Sequence, residues 1–345
     1  MNPWTQLPKP LIYLAPMSGV TDKPYRLIMK RFASDILFPE FVSIDAIHHC
    51  PTGKTARLLD YDANEHPIIA QLFGSKPDYF FAAAKHIKQL GFDGVDINFG
   101  CPAPKVARSG GGCSLLRDLG LCKEIIQAVL AAVGSEFPVS VKTRKSYKTT
   151  HVRDFCNVIS ELPLSAITIH GRPFEKPYEG QADLDCIKEA KSLVPFLVIA
   201  SGNGHTPEAA KATLDYTGCD GIAVARGSFG KPWLIKQIKD YLQTGIYHVP
   251  TQDEILNTML EHARLLEQSV RTRYIAFPQK RFLQKKRKKK SNYNPFNEIR
   301  KILSWYIRGI PNAAHYRAQL VRVNTLEEVE IIIREIQASL PTPPS

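Results

Sequence analysis

The chain has 345 residues and a formal net charge of +12, and its hydrophobic and charged fractions, 44% and 23%, are those of a soluble globular protein. No apolar run approaches the roughly 20 residues that a membrane-spanning helix needs, which excludes a membrane protein. The segment that begins at Met1 lacks the charged start and apolar core of a secretory signal, so we expect a cytoplasmic protein.

From Leu11 to about Leu242, short apolar runs alternate with longer stretches of helical period, the pattern of repeated β-α units around a parallel sheet. The predicted strands are Leu11–Ala15, Ile36–Ser43, Pro67–Phe73, Gly94–Asn98, Pro138–Lys142, Ala166–His170, Phe196–Ala200 and Gly221–Ala225. Eight even units favour a (β/α)8 TIM barrel of about 250 residues over an open doubly wound sheet. Thr206 before Pro207 has the form of a helix N-cap followed by the first helical residue.

The β-α rhythm ends near Gly245, in a stretch that Gly and Pro residues bound. Beyond it, apolar residues recur every three or four positions, which predicts helices. These helices are expected at Asp253–Ser269, Phe296–Arg308, Ala313–Leu320 and Leu326–Leu340. We therefore expect a catalytic barrel at 1–245, an all-α helical bundle at 246–340 and a frayed tail at 341–345.

Basic residues crowd the stretch 280–290. Such a run is typical either of a contact with a polyanion or of a solvated loop.

The cysteines are scattered without C-x-x-C spacing, which favours reduced thiols. His48-His49-Cys50 has no second pair of ligands in sight, so we predict no bound metal. The sequence is compatible with a monomer.

Polar residues stand where the predicted strands end, the edge at which TIM barrels build their active sites. They include Gln71, Asn98, Lys142, Arg144 and His170. Lys142 ends an apolar strand, where a buried ammonium needs a nearby anion, and an anionic reduced flavin would serve. His170 either hydrogen-bonds a ring heteroatom of a ligand or is a structural donor to the backbone.

The last two strands run into turns of small residues, Ser201-Gly202-Asn203-Gly204 and Ala225-Arg226-Gly227. Their backbone N–H groups and the helix that follows Thr206 predict a phosphate site, to which Arg226 adds a positive charge. The alternative is that these glycines only make tight turns. The run Gly110–Gly112 lacks the spacing of a dinucleotide fingerprint and is interpreted as a flexible loop.

Cys101 lies between Gly100 and Pro102, on a turn directly after the fourth strand, where a side chain is exposed at the barrel mouth. A thiol with an ordinary pKa of about 8.5 is mostly protonated at neutral pH and can donate its proton to a carbanion-like centre. A thiolate nucleophile is the competing role and needs a neighbouring base or cation. These residues alone leave both roles open.

Taken together, the ordered motifs resemble the tRNA-dihydrouridine synthase family in its bacterial and archaeal single-chain form. The resemblance covers nearly the whole chain. The matching segments are Leu14-Ala15-Pro16-Met17-Ser18-Gly19-Val20-Thr21-Asp22, Gln71-Leu72-Phe73-Gly74, Asp96-Ile97-Asn98-Phe99-Gly100-Cys101-Pro102, Val141-Lys142-Thr143-Arg144, His170-Gly171-Arg172 and Tyr178-Glu179-Gly180-Gln181-Ala182-Asp183, with the turns at Ser201 and Ala225.

The resemblance implies a barrel that binds FMN, a helical domain that grips tRNA, and reduction of the uracil 5,6 double bond with NADPH as reductant. It assigns hydride transfer to C6 and gives Cys101 the acid role, protonating C5. Flavin-binding positions are implied at Pro16, Met17, Ser18, Gln71, Lys142 and His170. Phosphate-binding positions are implied at Ser201, Gly202, Asn203, Ala225 and Arg226. Asn98 and Arg144 are implied as contacts of the uracil or its ribose phosphate.

An RNA substrate is consistent with an enzyme that extrudes a base into its pocket, and phosphate contacts from Lys285–Lys290 and from Arg317 or Arg322 would position the tRNA. Two alternatives stay open. One is an FMN barrel that acts on a free pyrimidine or a small enone. The other is a non-catalytic RNA-binding protein that keeps a barrel scaffold.

Overall fold

The computed structural model describes residues 2–276 and 296–340. The chain divides into two compact units, of which the first comprises Met1–Ser228 and Trp233–Tyr247 and the second Phe229–Pro232 and His248–Ser345. The first unit alternates strands and helices, and the second is helical. Phe229 belongs to the second unit because its ring stacks on Trp305, with centroids 4.0 Å apart. Pattern alone did not predict this separate segment.

The strands all lie in the first unit. They are β1 Leu11–Leu14, β2 Val42–Ser43, β3 Ile69–Phe73, β4 Gly94–Phe99, β5 Val139–Arg144, β6 Ser146–Tyr147, β7 Thr150–His151, β8 Ala166–His170, β9 Leu197–Ser201 and β10 Gly221–Val224. The helices of this unit are α1 Pro3–Gln6, α2 Lys23–Arg31, α3 Ile44–His49, α4 Lys54–Leu58, α5 Pro77–Gln89, α6 Pro104–Arg108, α7 Leu119–Val133, α8 Val152–Ile159, α9 Asp185–Leu193, α10 Pro207–Thr217 and α11 Leu234–Thr244. Short 3-10 helices lie at Ala63–Glu65, Gly112–Arg117 and Arg226–Ser228.

Eight parallel strands form the sheet, in the order β1-β10-β9-β8-β5-β4-β3-β2, while β6 and β7 pair as a separate hairpin. Each neighbouring pair is parallel and in register. This is the sheet of a TIM barrel, and it confirms the predicted fold class.

The second strand is the one that differs most from its predicted bounds of Ile36–Ser43. Only Leu37 bridges to Ile68, and regular pairing resumes at β2. Pro39, which cannot donate to a ladder, interrupts the run. The seam with β1 is instead closed by Asp35, whose backbone N–H donates to Ile12 O (3.1 Å) and whose carboxylate accepts from Ile12 N (2.7 Å).

Alternate residues of the strands fill the barrel interior, as a period of two requires. The interior cluster includes Leu11, Tyr13, Ile69, Ala166, Ile199 and Ala223, closed by Trp4 and Phe38. Tyr13 reaches across to Thr168, with their hydroxyl oxygens 2.7 Å apart. Because the lower barrel is filled with side chains, the polar residues further along the strands lie above a closed floor.

The helical unit is built from α12 Gln252–Ala276, α13 Phe296–Tyr306, α14 Ala313–Leu320 and α15 Leu326–Ser339. Its core buries Leu256, Met259, Leu303 and Ile333 among other apolar side chains. His262 Nδ1 lies 3.0 Å from the Tyr306 hydroxyl within that core. Within the part of the chain that the structure describes, no helix combines the length and apolar character needed to cross a membrane.

Candidate active site

The candidate site lies at the carboxyl edge of the barrel strands. Along β3, β8 and β9 the interior residues Ile69, Ala166 and Ile199 are followed, on the same face, by Gln71, His170 and Ser201. Register places Asn98 beside Lys142, and Arg144 beside His170. Parallel strands in register direct paired residues to the same side, so the polar strand ends predicted from the sequence converge above the core.

One group of these residues is joined by hydrogen bonds between neutral amides. Asn98 Nδ2 donates to Gln71 Oε1 (2.8 Å). Asn98 Oδ1 accepts from the backbone N–H of Gly100 (3.0 Å) and of Cys101 (2.8 Å). Asn98 and Gln71 are 5% and 1% exposed, so water cannot replace these bonds. The turn that carries Cys101 is therefore held by the strand residue that precedes it.

The glycine run packs directly beneath Cys101. Gly112 has φ +62°, and a Cβ there would lie 2.7 Å from Cys101 O. The next residue, Cys113, donates its backbone N–H to the same oxygen (3.1 Å). Gly110–Gly112 was interpreted as a flexible loop, and that interpretation is wrong for Gly112, which is buried. Its missing side chain permits a close approach between two backbone segments.

The Cys101 thiol is partly buried, whereas Cys50 is exposed and the other five cysteines are buried. Burial raises the pKa of Cys101, and the neighbouring Arg144 and Lys142 offset only part of that effect. A thiol with a raised pKa stays protonated at neutral pH. The side chain is therefore suited to donate a proton and poorly suited to act as a thiolate.

Cations face the Cys101 turn from the next strands. Arg144, 6% exposed, donates from Nε to Gly100 O (2.7 Å) and from Nη1 to His170 Nδ1 (3.0 Å). Burial, followed by repulsion from Arg144, lowers the pKa of Lys142 to about 8. A bound anion would relieve this cost, since it would compensate the partly buried ammonium.

His170 is held as a neutral ring. Burial lowers its pKa to about 2, and the cations Lys142, Arg144, Arg172 and Arg226 lower it further. Because a guanidinium can only donate, Nδ1 of His170 must accept from Arg144, which leaves the proton on Nε2. His170 therefore presents an N–H donor from Nε2, close to Gly202.

The turns after β9 and β10 form the second half of the site. Gly202 has φ +126°, and a Cβ there would lie 2.8 Å from Ala182 Cβ and 3.2 Å from Arg172 Nη1. Arg172 Nη1 donates to Gly202 O (3.0 Å), and Asn203 Oδ1 accepts from Ala182 N (3.2 Å). The turn is thus a tight backbone cradle, held by residues that follow β8.

The predicted helix start beside this turn is confirmed. Thr206 caps α10 by accepting from Ala209 N (3.1 Å), with Pro207 in the first turn. Arg226 is exposed, and its guanidinium lies 5.1 Å from the centre of the Tyr178 ring. A capped helix N-terminus near a cation matches the electrostatics that an anionic group needs. Ala225, partly buried, follows β10 at the same edge.

Pro16, Met17 and Ser18 follow β1 on a turn that local hydrogen bonds of Met17 stabilise. Met17 N donates to Thr21 Oγ1 (3.2 Å), and Thr21 Oγ1 donates back to Met17 O (3.1 Å). β1 pairs with β10, so this turn stands beside Ala225 at the carboxyl edge. Within the described residues, no hydrogen bond joins Pro16–Ser18 to Gln71, Asn98 or Cys101.

Three residues of the site were given no role in the sequence analysis, although Asp96 and Arg172 lie within the matching segments. Asp96 bonds to Gln71, Arg172 joins the turn after β8 to that after β9, and Gly112 supports Cys101. The period of two gave a signal for Asp96, because it lies two residues before Asn98 and so shares its face. The other two depend on contacts between distant segments, for which a single sequence carries no signal.

The remaining predictions concern metals and RNA. Among residues 2–276 and 296–340, no three His, Cys, Asp or Glu side chains converge to hold a metal ion, and the His48 ring stacks on Tyr79 with centroids 3.9 Å apart. Arg317 and Arg322 are exposed on the helical unit. The basic run at 280–290 lies outside the described residues.

Comparison with protein families gives one match that spans the site and both units. The family model described as dihydrouridine synthase (Dus) matches residues 13–340. A probable tRNA-dihydrouridine synthase 1 of Synechocystis sp. is 34% identical over 318 residues, covering 91% of this chain and 82% of the relative. A tRNA-dihydrouridine synthase B of Pseudomonas putida is 31% identical over 330 residues, covering 95% of this chain and 90% of the relative.

Solved structures agree on the fold. A histamine dehydrogenase from Rhizobium sp. 4-9 matches with a TM-score of 0.50 at 14% identity, over 74% of this chain and 49% of that protein. A 6-hydroxypseudooxynicotine amine oxidase from Pseudomonas geniculata N1 matches with a TM-score of 0.51 at 16% identity. The match covers 71% of this chain and 50% of that protein. At such identities the likeness concerns the barrel alone.

Proposed function

Because the chain belongs to the dihydrouridine synthase family, we propose that it is a flavin-dependent enzyme that reduces the 5,6 double bond of uridine in tRNA. The observation that carries this proposal is the partly buried Cys101 thiol, kept protonated beside a group of cations at the barrel mouth. NADPH is the proposed reductant, and the cytoplasm is the proposed place of action.

The residues of the cation-lined half fit a phosphorylated flavin, FMN. The cradle at Gly202 leaves no room for a Cβ, which suits a close approach of backbone to a phosphate. Ser201, Gly202, Asn203, Ala225 and Arg226 are proposed to hold that phosphate. Pro16, Met17, Ser18, Gln71, Lys142 and His170 are proposed to surround the ring system. When bound, the reduced flavin supplies a hydride to C6 of the uracil.

Cys101 is proposed to donate its thiol proton to C5, and the chain's own residues prepare it for this task. Asn98 Oδ1 accepts from the N–H groups of Gly100 and Cys101, and the Cys113 N–H donates to Cys101 O. These three hydrogen bonds hold the backbone of the turn. Burial keeps the proton on sulfur until a carbanion-like centre is presented. The neutral His170 contributes an N–H donor without adding another positive charge.

Asn98 and Arg144 are proposed as contacts of the uracil or of its ribose phosphate. The Asn98 amide has one N–H beyond the one that Gln71 accepts, and this N–H is available to a carbonyl of the base. Arg144 is anchored by Gly100 O and lies beside the Cys101 turn. Both side chains are fixed before substrate arrives, which favours orientation of an extruded base.

The proposal is tested with purified protein, NADPH and tRNA transcripts that lack modification. We expect a yellow protein that forms dihydrouridine in tRNA, detected by mass spectrometry of the nucleosides, and leaves free uracil and small enones unchanged. Reduction of those small molecules without any change in tRNA would instead favour a free-pyrimidine or enone reductase. A colourless protein that binds tRNA would favour a non-catalytic role.

The run Lys285–Lys290 is proposed to contact tRNA phosphates. Replacing these lysines by glutamine should weaken tRNA binding and flatten its dependence on salt, since each lost phosphate contact reduces the slope of log K against log salt by about 0.9. Filter binding at several salt concentrations measures the slope. A slope equal to that of the wild type would place the run outside the RNA site.

A further inference from the structure

We propose that Asp96 is a positioning residue that sets the orientation of two amide side chains and, through them, fixes the backbone of Cys101. The proposal rests on the proposed function only for its catalytic consequence. Its structural core is a chain of hydrogen bonds that starts at the Asp96 carboxylate, passes through Gln71 and Asn98 and ends at the N–H groups of Gly100 and Cys101.

The chain of bonds is short, buried and continuous. Gln71 Nε2 donates to Asp96 Oδ2 at 2.6 Å, and Ser140 Oγ donates to Asp96 Oδ1 at 2.7 Å. Gln71 Oε1 then accepts from Asn98 at 2.8 Å. Asp96 is only 2% exposed and is a carboxylate next to the apolar cluster of the barrel interior. Burying a carboxylate costs free energy, so a buried carboxylate close to the Cys101 turn indicates a specific role.

The carboxylate gives the chain a direction that amides alone cannot supply. An ionised carboxylate only accepts hydrogen bonds, so Gln71 must turn its NH2 group towards Asp96 and its oxygen towards Asn98. Asn98 must then give its NH2 group to Gln71 and its oxygen to the Cys101 turn. If both amides were reversed, the Asn98 NH2 group would face the two N–H groups of that turn, and both would lose their acceptor.

The groups around Asp96 support this ionised, accepting state. Burial raises the pKa of Asp96 to about 6, while the donors from Gln71 and Ser140 and the neighbouring Lys142 ammonium lower it, so the carboxyl group is mainly ionised at neutral pH. The Tyr13 hydroxyl, on which the Asp96 charge also acts, keeps its proton because burial raises its pKa. Asp96 is the charged member of this chain of bonds, so it fixes the direction at one end, in agreement with the two N–H donors of the Cys101 turn at the other.

The test is Asp96→Asn, with Ser140→Ala as the matched control. The amide introduced at position 96 can donate to Gln71, which permits both amides to reverse and releases the Cys101 turn. Ser140→Ala removes one bond to the same carboxylate but leaves its direction intact. A difference between the two variants therefore reports the direction of the chain and not the loss of one buried bond.

The first readout does not need activity. Alkylation of Cys101 by iodoacetamide, followed by peptide mass spectrometry, should be about 10-fold faster in Asp96→Asn, the order that two lost hydrogen bonds give. The exposed Cys50 serves as the reference in every sample. Ser140→Ala should react at the wild-type rate. Equal rates in all three proteins, or equal acceleration in both variants, would overturn the proposal.

A double variant guards against a folding defect. In Asp96→Asn combined with Asn98→Asp, the new carboxylate at position 98 accepts both from Gln71 and from the Cys101 turn, and Gln71 turns its oxygen to position 96. Alkylation of Cys101 should return towards the wild-type rate. If the double variant reacts as fast as Asp96→Asn, the direction of the bonds does not hold the turn.

The second readout separates this inference from the proposed function. Wild-type protein must first reduce tRNA, and failure there counts against the function alone. If it succeeds, Asp96→Asn should reduce tRNA on the order of 100-fold more slowly in a single turnover, because the acid is misplaced. Asn98 and Cys101 are unaltered in that variant. A wild-type single-turnover rate together with accelerated alkylation would reject the catalytic consequence and keep the structural one.

Discussion

At the barrel mouth, β3, β4 and the turn after β4 form a wall of neutral amides, whereas β5, β8 and the turns after β9 and β10 form a wall of cations. In the amide wall, Gln71 and Asn98 bond to each other and to the Cys101 turn. In the cation wall, Arg144 and Arg172 donate to backbone carbonyls and depress the pKa of His170. The amide wall satisfies its own hydrogen bonds, whereas the cation wall brings several positive charges together.

The two walls therefore suit different parts of the proposed chemistry. A proton donor needs a fixed position, which the amide wall supplies, and a raised pKa, which burial supplies. An anionic cofactor needs positive charge that is already assembled, which the cation wall supplies. Changes in the amide wall should therefore affect tRNA reduction, and changes in the cation wall should affect the cofactor.

The largest effect among these changes is expected from Gly112→Ala in the amide wall. The new Cβ would lie 2.7 Å from Cys101 O and 3.2 Å from its Cβ, so the thiol must move, and tRNA reduction should fall on the order of 100-fold. Single-turnover oxidation of the reduced protein by tRNA measures the effect, with flavin content unchanged.

Gly218→Ala is the matched control for this change. Gly218 has nearly the same φ, +64° against +62°, but no atom lies within 4 Å of its added Cβ. Both variants bear the strain of a left-handed alanine, and only one disturbs the Cys101 turn. Equal single-turnover rates in the two variants would show that the contact with Cys101 does not affect tRNA reduction.

An intermediate effect is expected from pH in the cation wall. Lys142 has a pKa of about 8, so its positive charge is present below that pH and lost above it. tRNA reduction should be about 10-fold below its plateau at one pH unit past 8. Burial raises the pKa of Cys101, so its thiol is expected to titrate after Lys142, and the neutral His170 contributes no step.

Lys142→Arg tests that assignment, because a guanidinium stays charged throughout. Its profile of single-turnover rate against pH should be flat across the range in which the wild-type rate falls, even if its maximum is lower. Persistence of the same decline in Lys142→Arg would assign the titration to another group.

The smallest effect is expected from Arg226→Ala. The side chain is exposed, so the loss of its charge should weaken FMN retention by only about 5-fold, with the chemical step intact. Fluorescence titration of the stripped protein with FMN measures the affinity. Lys211→Ala, which removes an exposed lysine paired with Asp215 on α10, is the control and should bind FMN as the wild type does.

Much of this arrangement could be predicted from the sequence because it follows from a period of two and from strand order. β8, predicted at Ala166–His170, matches its bounds, and Gln71, Asn98, Lys142 and His170 were expected at one edge. The second strand was overestimated because β-branched and aromatic residues flank Pro39, which removes a donor from the ladder. Asp35 replaces part of that ladder with its side chain, a contact that no local pattern reveals.

The finer structure of the site could not be predicted for a different reason. The direction of the Asp96, Gln71 and Asn98 bonds depends on three side chains from two strands meeting at hydrogen-bond distance. The role of Gly112 depends on its approach to Cys101 across eleven positions of chain, by the residue numbers. Such contacts are set by packing, whereas periodicity reports only which face a residue occupies.

Anaerobic single turnover measures whether Cys101 in the amide wall protonates the base. Wild-type protein and Cys101→Ala are reduced with NADPH, mixed with unmodified tRNA and followed by flavin absorbance, with Cys50→Ala as the thiol control. We predict that Cys101→Ala retains its FMN and its reduction by NADPH, yet oxidises at least about 100-fold more slowly with tRNA. Oxidation at the wild-type rate, or loss of the flavin, would contradict the account.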